Sequence, residues 1–145
     1  LDALADRCEA ATGADRELDA LIRCAVFAPA TAYVAMSPFN GAWCIYDGET
    51  RDGRPRGWEA LTLTQVQRLG EFTASLDAAM TLVPEGYFVA VVNSTLADPE
   101  KVGRATALIA PGGSAKAAEP SEAATMPLAI CAAALRARTQ ESTDE

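Results

Sequence analysis

The chain has 145 residues, half of them hydrophobic and 22% charged, with a formal net charge of −8 and no histidine. This length suits one domain around one core, and the composition favours a folded, soluble domain over disorder. The acidic balance argues against general affinity for nucleic-acid phosphates or anionic membranes, and no apolar run approaches the roughly 20 residues of a membrane span.

Residues 1–11 read as a first helix, with Leu1, Leu4, Ala5, Cys8 and Ala11 at helical spacing. The opening Leu1-Asp2-Ala3 is acidic and has no apolar signal core, so no secretory signal is expected there. Thr12-Gly13 is expected to end the helix, with Gly13 in the left-handed conformation. A second helix spans about 15–26, capped by Asp15, with Leu18, Leu21, Ile22 and Ala25 as its apolar face. Residues 29–39 form a connector in which Tyr33-Val34-Ala35-Met36 is a candidate strand. Residues 42–46 are a better one, aromatic and β-branched, with Asp47-Gly48 as the turn after it. Residues 49–57, charged and glycine-rich, read as an exposed loop or hairpin tip. Residues 58–69 fit a strand or a short helix.

The stretch from Phe72 to Tyr87 encodes a short helix, a stop and a strand start. Ser75 is its cap, Asp77 lies in its first turn, and Leu76, Ala79, Met80 and Val83 form the expected buried face. Met80→Asp is therefore expected to unfold the domain. Pro84-Glu85-Gly86 stops the helix. Residues 87–92 follow as a nearly continuous apolar strand, expected to be covered on both faces. Residues 104–110 are its pairing strand, and residues 111–119 a linker of small residues. A closing helix covers 125–138, with Pro127 in its first turn and Leu128, Cys131, Ala132 and Leu135 as its buried stripe. Residues 1–138 form the domain and 139–145 an acidic tail. The order of elements predicts an α+β class: a single-domain α/β sandwich, a small, mostly antiparallel sheet packed with helices.

Three segments, Arg16-Glu17-Leu18-Asp19-Ala20-Leu21-Ile22, Phe72-Thr73-Ala74-Ser75-Leu76-Asp77-Ala78-Ala79 and Thr125-Met126-Pro127-Leu128-Ala129-Ile130-Cys131-Ala132-Ala133-Ala134-Leu135, are similar in order and spacing to the phage ABA sandwich domain family. The resemblance spans about residues 14–138. It implies a phage or prophage origin and an α/β sandwich, and it implies no activity. Residues 29–70 depart most from the family pattern.

Enzymatic chemistry has little support. No histidine is present to act as base in a serine or cysteine relay, and neither a Walker loop nor G-x-G-x-x-G occurs. Cys8, Cys24, Cys44 and Cys131 are widely spaced without C-x-x-C, so no metal site is expected, and the thiols read as reduced core residues of an intracellular protein. Asp15 and Asp19 read as a solvated helix surface, and Asp98 and Glu100, flanking Pro99, as a turn. Cys44 beside Trp43 reads as a core thiol rather than a nucleophile.

One constellation stands out as a candidate binding site: Trp43, Tyr46, Arg51, Arg54, Arg56 and Trp58. Three of the twelve basic residues fall between the two tryptophans. Guanidinium forks suit phosphate or carboxylate, and aromatic faces stack on bases. The expected function is a non-enzymatic phage or prophage accessory protein in the host cytoplasm, without cofactor, that binds a host protein or an anionic small ligand such as a signalling nucleotide, with a possible counter-defence role. The alternative is a structural or assembly protein of the phage particle. Homo-oligomerisation is compatible with either.

Overall fold

The computed structural model describes residues 1–49, 52–57, 71–93, 103–112 and 119–144. Helix α1 (Asp2–Ala10) buries Ala5 and Cys8, both on the expected stripe. Gly13 does not take a left-handed conformation, because Ala11, extended at φ −67°, already leads the chain out of the helix. Helix α2 (Arg16–Phe27) begins where its cap predicts, with Asp15 Oδ1 accepting from the Leu18 amide at 3.0 Å. Leu18 and Ile22 are buried and Ala25 is exposed.

Among the described residues the strands divide into two antiparallel three-stranded sheets. The first joins β1 (Tyr33–Met36), β2 (Trp43–Glu49) and β3 (Pro55–Gly57) in sequence order and packs against α2. β2 runs through Asp47-Gly48 instead of turning there. Gly48, at φ +70°, absorbs a register shift between Tyr46 and Glu49, so the glycine makes a bulge and the hairpin tip falls later, near Gly53. The second sheet joins β4 (Tyr87–Asn93), β5 (Ala105–Pro111) and β6 (Ser121–Ala123). β6 has no counterpart among the elements expected from the sequence. Only three residues long, it lies below the length at which alternation can be read. The α+β class is as expected: helices packed with small antiparallel sheets.

Short helix α3 (Leu76–Met80) has the expected cap, with Ser75 Oγ accepting from the Ala78 amide at 3.3 Å. Its buried face is different. Ala78, Ala79 and Leu82 are buried, whereas Leu76 is 47% and Met80 42% exposed. Beyond Met80 the amides of Thr81, Leu82 and Val83 bond to carbonyls only three residues back, which tightens the turn and swings Leu82 inward. This face packs on the closing helix α4 (Met126–Asp144). Met80→Asp is thus expected to shift the melting temperature little, and Leu82→Asp to abolish cooperative melting; thermal melts of the two variants check this.

α4 is the centre of the molecule. Every residue from Leu128 to Leu135 is at most 5% exposed. The alanines at 129, 132, 133 and 134 make the helix thin enough for α1, α3 and the second sheet to close around it. It also continues past Arg138, where the sequence reading began a frayed tail, because no glycine or proline stops it before Asp144. Arg136 fixes α1 and β6 to α4: its guanidinium donates to Glu9, Asp6 and the Ser121 hydroxyl. Arg136 in turn holds the Glu9 carboxyl below its ordinary value.

β4 alternates between half-buried Tyr87, Val89 and Val91 and exposed Phe88, Ala90 and Val92. Only one face is covered, contrary to the expectation from its continuous apolar run. Antiparallel sheets tolerate an open face, and the run alone does not distinguish the two cases.

Candidate functional site

Four of the six sequence-selected residues, Trp43, Tyr46, Arg54 and Arg56, lie among the described residues. Arg51 and Trp58 lie outside the described residues. In the regular β1–β2 ladder Tyr33 faces Tyr46, Val34 faces Ile45, Ala35 faces Cys44 and Met36 faces Trp43. Directly opposed residues share a face and successive residues alternate, so Trp43 and Tyr46 lie on opposite faces of the sheet. Tyr46 stacks on Tyr33, ring centroids 5.7 Å apart. Partial burial, and then Cys44, push its phenol above the ordinary tyrosine value, so it stays protonated.

Arg54 and Arg56 are exposed in the β2–β3 hairpin. Arg56 Nε donates to the Asp47 carbonyl at 3.1 Å, bracing the hairpin across the bulge, and Asp47 Oδ1 accepts from the Thr31 hydroxyl at 2.7 Å. In sequence, Asp47, Glu49 and Asp52 offset Arg51, Arg54 and Arg56, so the segment is neutral in sum.

The unexpected surface lies at the other end of β2. Phe39 is 91% exposed at the tip of the β1–β2 turn. The turn is braced four times: Ser37 N donates to Ala42 O at 2.7 Å, Gly41 N to Ser37 O at 3.0 Å, Phe39 N to Ser37 Oγ at 3.3 Å, and Ala42 N to Asn40 Oδ1 at 3.1 Å. Gly41, at φ +66°, supplies the left-handed residue the turn needs. Met36, 54% exposed, sits at the same end, opposite half-buried Trp43. The sequence carries a signal for this surface: no charged residue occurs between Arg23 and Asp47, in a chain that is 22% charged. A strand and turn that must stay in water normally carry charge.

A second cluster is buried. Asp19, read from sequence as solvated, is 2% exposed. It sits one turn after Asp15, on the face of α2 that carries Leu18 and Ile22, and that face is packed inward. Its Oδ1 accepts from the Thr73 amide at 2.8 Å. Thr73 Oγ1 accepts from the Asp15 amide at 2.9 Å and donates to the Asp15 carbonyl at 3.3 Å. Asp19 Oδ2 is buried without a hydrogen bond, 3.7 Å from Arg16 Nη1. Burial raises the Asp19 pKa; Thr73 and Arg16 pull it down, and burial wins.

Beside this cluster the Cys131 thiol donates to the Phe72 carbonyl at 3.3 Å. Cys8, and then burial, push the Cys131 thiol far up, so it is no thiolate nucleophile. The four cysteines are free, and Cys8 and Cys131 are buried. Asp15 and Asp19, Phe72 and Thr73, and Cys131 come from or adjoin the three segments singled out in the sequence, so these segments meet at one junction, joined by hydrogen bonds that leave Asp19 Oδ2 unsatisfied. Among the described residues, no group of three or more His, Cys, Asp or Glu is placed to hold a metal ion, and no helix is long and apolar enough to cross a membrane.

Compared with known protein families, curated proteins and solved structures, the chain matches none.

Proposed function

We propose that this chain is a non-enzymatic phage or prophage accessory protein that binds a host protein through the tip of its β1–β2 hairpin. The phage assignment rests on the sequence resemblance alone. The observation that carries the binding reading is Phe39, 91% exposed on a turn held by four hydrogen bonds. A large aromatic side chain left in water on a rigid support loses little entropy on docking, as binding hot spots do. Met36 and the uncharged flank extend the apolar contact. The net charge of −8 disfavours an anionic bilayer as the occupant and leaves an apolar pocket on a protein as the better fit.

Capture of an anionic ligand by the arginine hairpin has weaker support. Its charge is offset locally, and Trp43 and Tyr46 cannot clamp one ligand from opposite faces of the sheet. The two readings separate by salt and by mutation. Phe39→Ala is expected to weaken capture of the host partner by about 2 kcal/mol, roughly thirtyfold, with little dependence on salt. Replacing Arg54 and Arg56 by Ala should change it little. The check is quantitative pull-down from host lysate with the partner identified by mass spectrometry. Capture that ignores Phe39→Ala but disappears in high salt or in the arginine variant overturns the hairpin-tip reading.

A further inference from the structure

The chain has three methionines, all partly in water: Met36 is 54% exposed, and Met80 and Met126 are each 42% exposed. Methionine is most often a buried residue, and a thioether left in water is open to oxidation. Met36 is set apart by its neighbours. It is the last residue of β1, directly opposite Trp43, and the turn that holds up Phe39 begins at the next residue, Ser37. Val34 and Ile45, two positions along the same ladder, share the face of Met36 and Trp43. Ser37, Pro38 and Asn40 in the turn carry no charge. Met80 lies on α3 and Met126 on α4, neither of them in the hairpin.

We propose that Met36 is a redox-sensitive modification site: oxidation of its thioether to the sulfoxide releases the protein held at the hairpin tip. This regulation acts on the surface assigned above and rests on the hairpin-tip reading. The reaction is an oxygen transfer from a peroxide. A sulfur lone pair attacks one oxygen of hydrogen peroxide, the O–O bond breaks and an S–O bond forms. The leaving oxygen takes up the proton of the transferred one and departs as water, so sulfur loses two electrons and the peroxide gains them. The thioether is soft and polarisable and adapts to an apolar contact. The sulfoxide keeps the length of the side chain but adds a strong hydrogen-bond acceptor. In water that oxygen is solvated. Pressed into an apolar pocket beside Phe39 it loses its solvation, and the pocket offers no donor in exchange. Thiol-dependent sulfoxide reductases reverse the change, so the site can be reset.

Capture from host lysate by the full chain, before and after brief treatment with hydrogen peroxide, tests the proposal. The probe is the lysate protein that untreated wild type retains, identified by mass spectrometry. Peptide mapping of the treated chain should find the sulfoxide at Met36. Capture should fall about tenfold or more, with an unchanged circular dichroism spectrum because position 36 is exposed. A methionine sulfoxide reductase with thiol should restore it. In Met36→Leu, which has no sulfur at this position, capture after peroxide should equal capture before it. A chain with Met80 and Met126 both replaced by Leu should lose capture on oxidation as the wild type does. If Phe39→Ala leaves capture intact, the hairpin-tip reading fails and this inference with it. If Phe39→Ala weakens capture but the Met36 sulfoxide does not, or if Met36→Leu loses capture to peroxide as the wild type does, this inference alone is overturned.

Discussion

Replacing Ile130 by Asp should leave no cooperatively folded protein, and Ile130→Ala should lower the unfolding free energy by about 2–5 kcal/mol. On an amphipathic helix whose stripe is Leu128, Cys131, Ala132 and Leu135, Ile130 would lie off the stripe and tolerate both changes. Here it is fully buried, as are its neighbours around the whole circumference. The truncation removes methylene groups from a fully buried site and leaves a cavity. The aspartate would bring a charge into a segment where residues 128–135 offer no counter-charge. Chemical denaturation of I130A and a far-ultraviolet spectrum of I130D decide it. An I130A variant as stable as the wild type would mean that α4 has an exposed side.

Asp19→Ala should cost about 1–3 kcal/mol, more than Asp19→Asn, because it strands the buried Thr73 amide, whereas asparagine retains an acceptor. The pH dependence of the Asn variant has a definite sign. The Asp19 pKa is raised in the folded protein. Its contribution to stability is therefore fully present below the unfolded value of about 3.9 and is lost as pH rises through the folded value. The stability advantage of wild type over D19N should be largest in acid and shrink above about pH 4. Denaturation series at several pH values measure it; an advantage that grows with pH would mean that Asp19 is stabilised as a carboxylate.

The caps were legible because they are local. Asp15 and Ser75 each accept from an amide three residues on, and the acceptor type and spacing are written in the chain. The pairing of residues 87–92 with 104–110 was legible from apolar runs alone. What failed depended on the surroundings. Alanine is compatible with any environment, so periodicity could not reveal that α4 is enclosed on all sides. The turn after Met80 shifted the buried position from Val83 to Leu82, which no helical template anticipates. Asp19 shares the face of Leu18 and Ile22, and that pattern was present in the sequence, but a carboxylate is normally read as solvated unless its partner is known. The partner, Thr73, lies 54 residues away. The exposed hairpin tip was passed over for a related reason. Charge draws attention to arginines, whereas the surface that stands out in three dimensions is marked by absence of charge, from Cys24 to Tyr46. The three segments that resemble the phage family owe their composition to one buried junction, so they carry information about fold and little about activity.

A photo-cross-linking scan in host cells tests the binding account most directly. A benzophenone amino acid would be placed in turn at Met36, Phe39, Arg54, Asp77 and Phe88, all exposed positions, and adducts identified by mass spectrometry after irradiation. The account predicts one host protein joined from positions 36 and 39, and none from Asp77 or Phe88. A host protein joined from Arg54 or Phe88 with no adduct at Phe39 would contradict it.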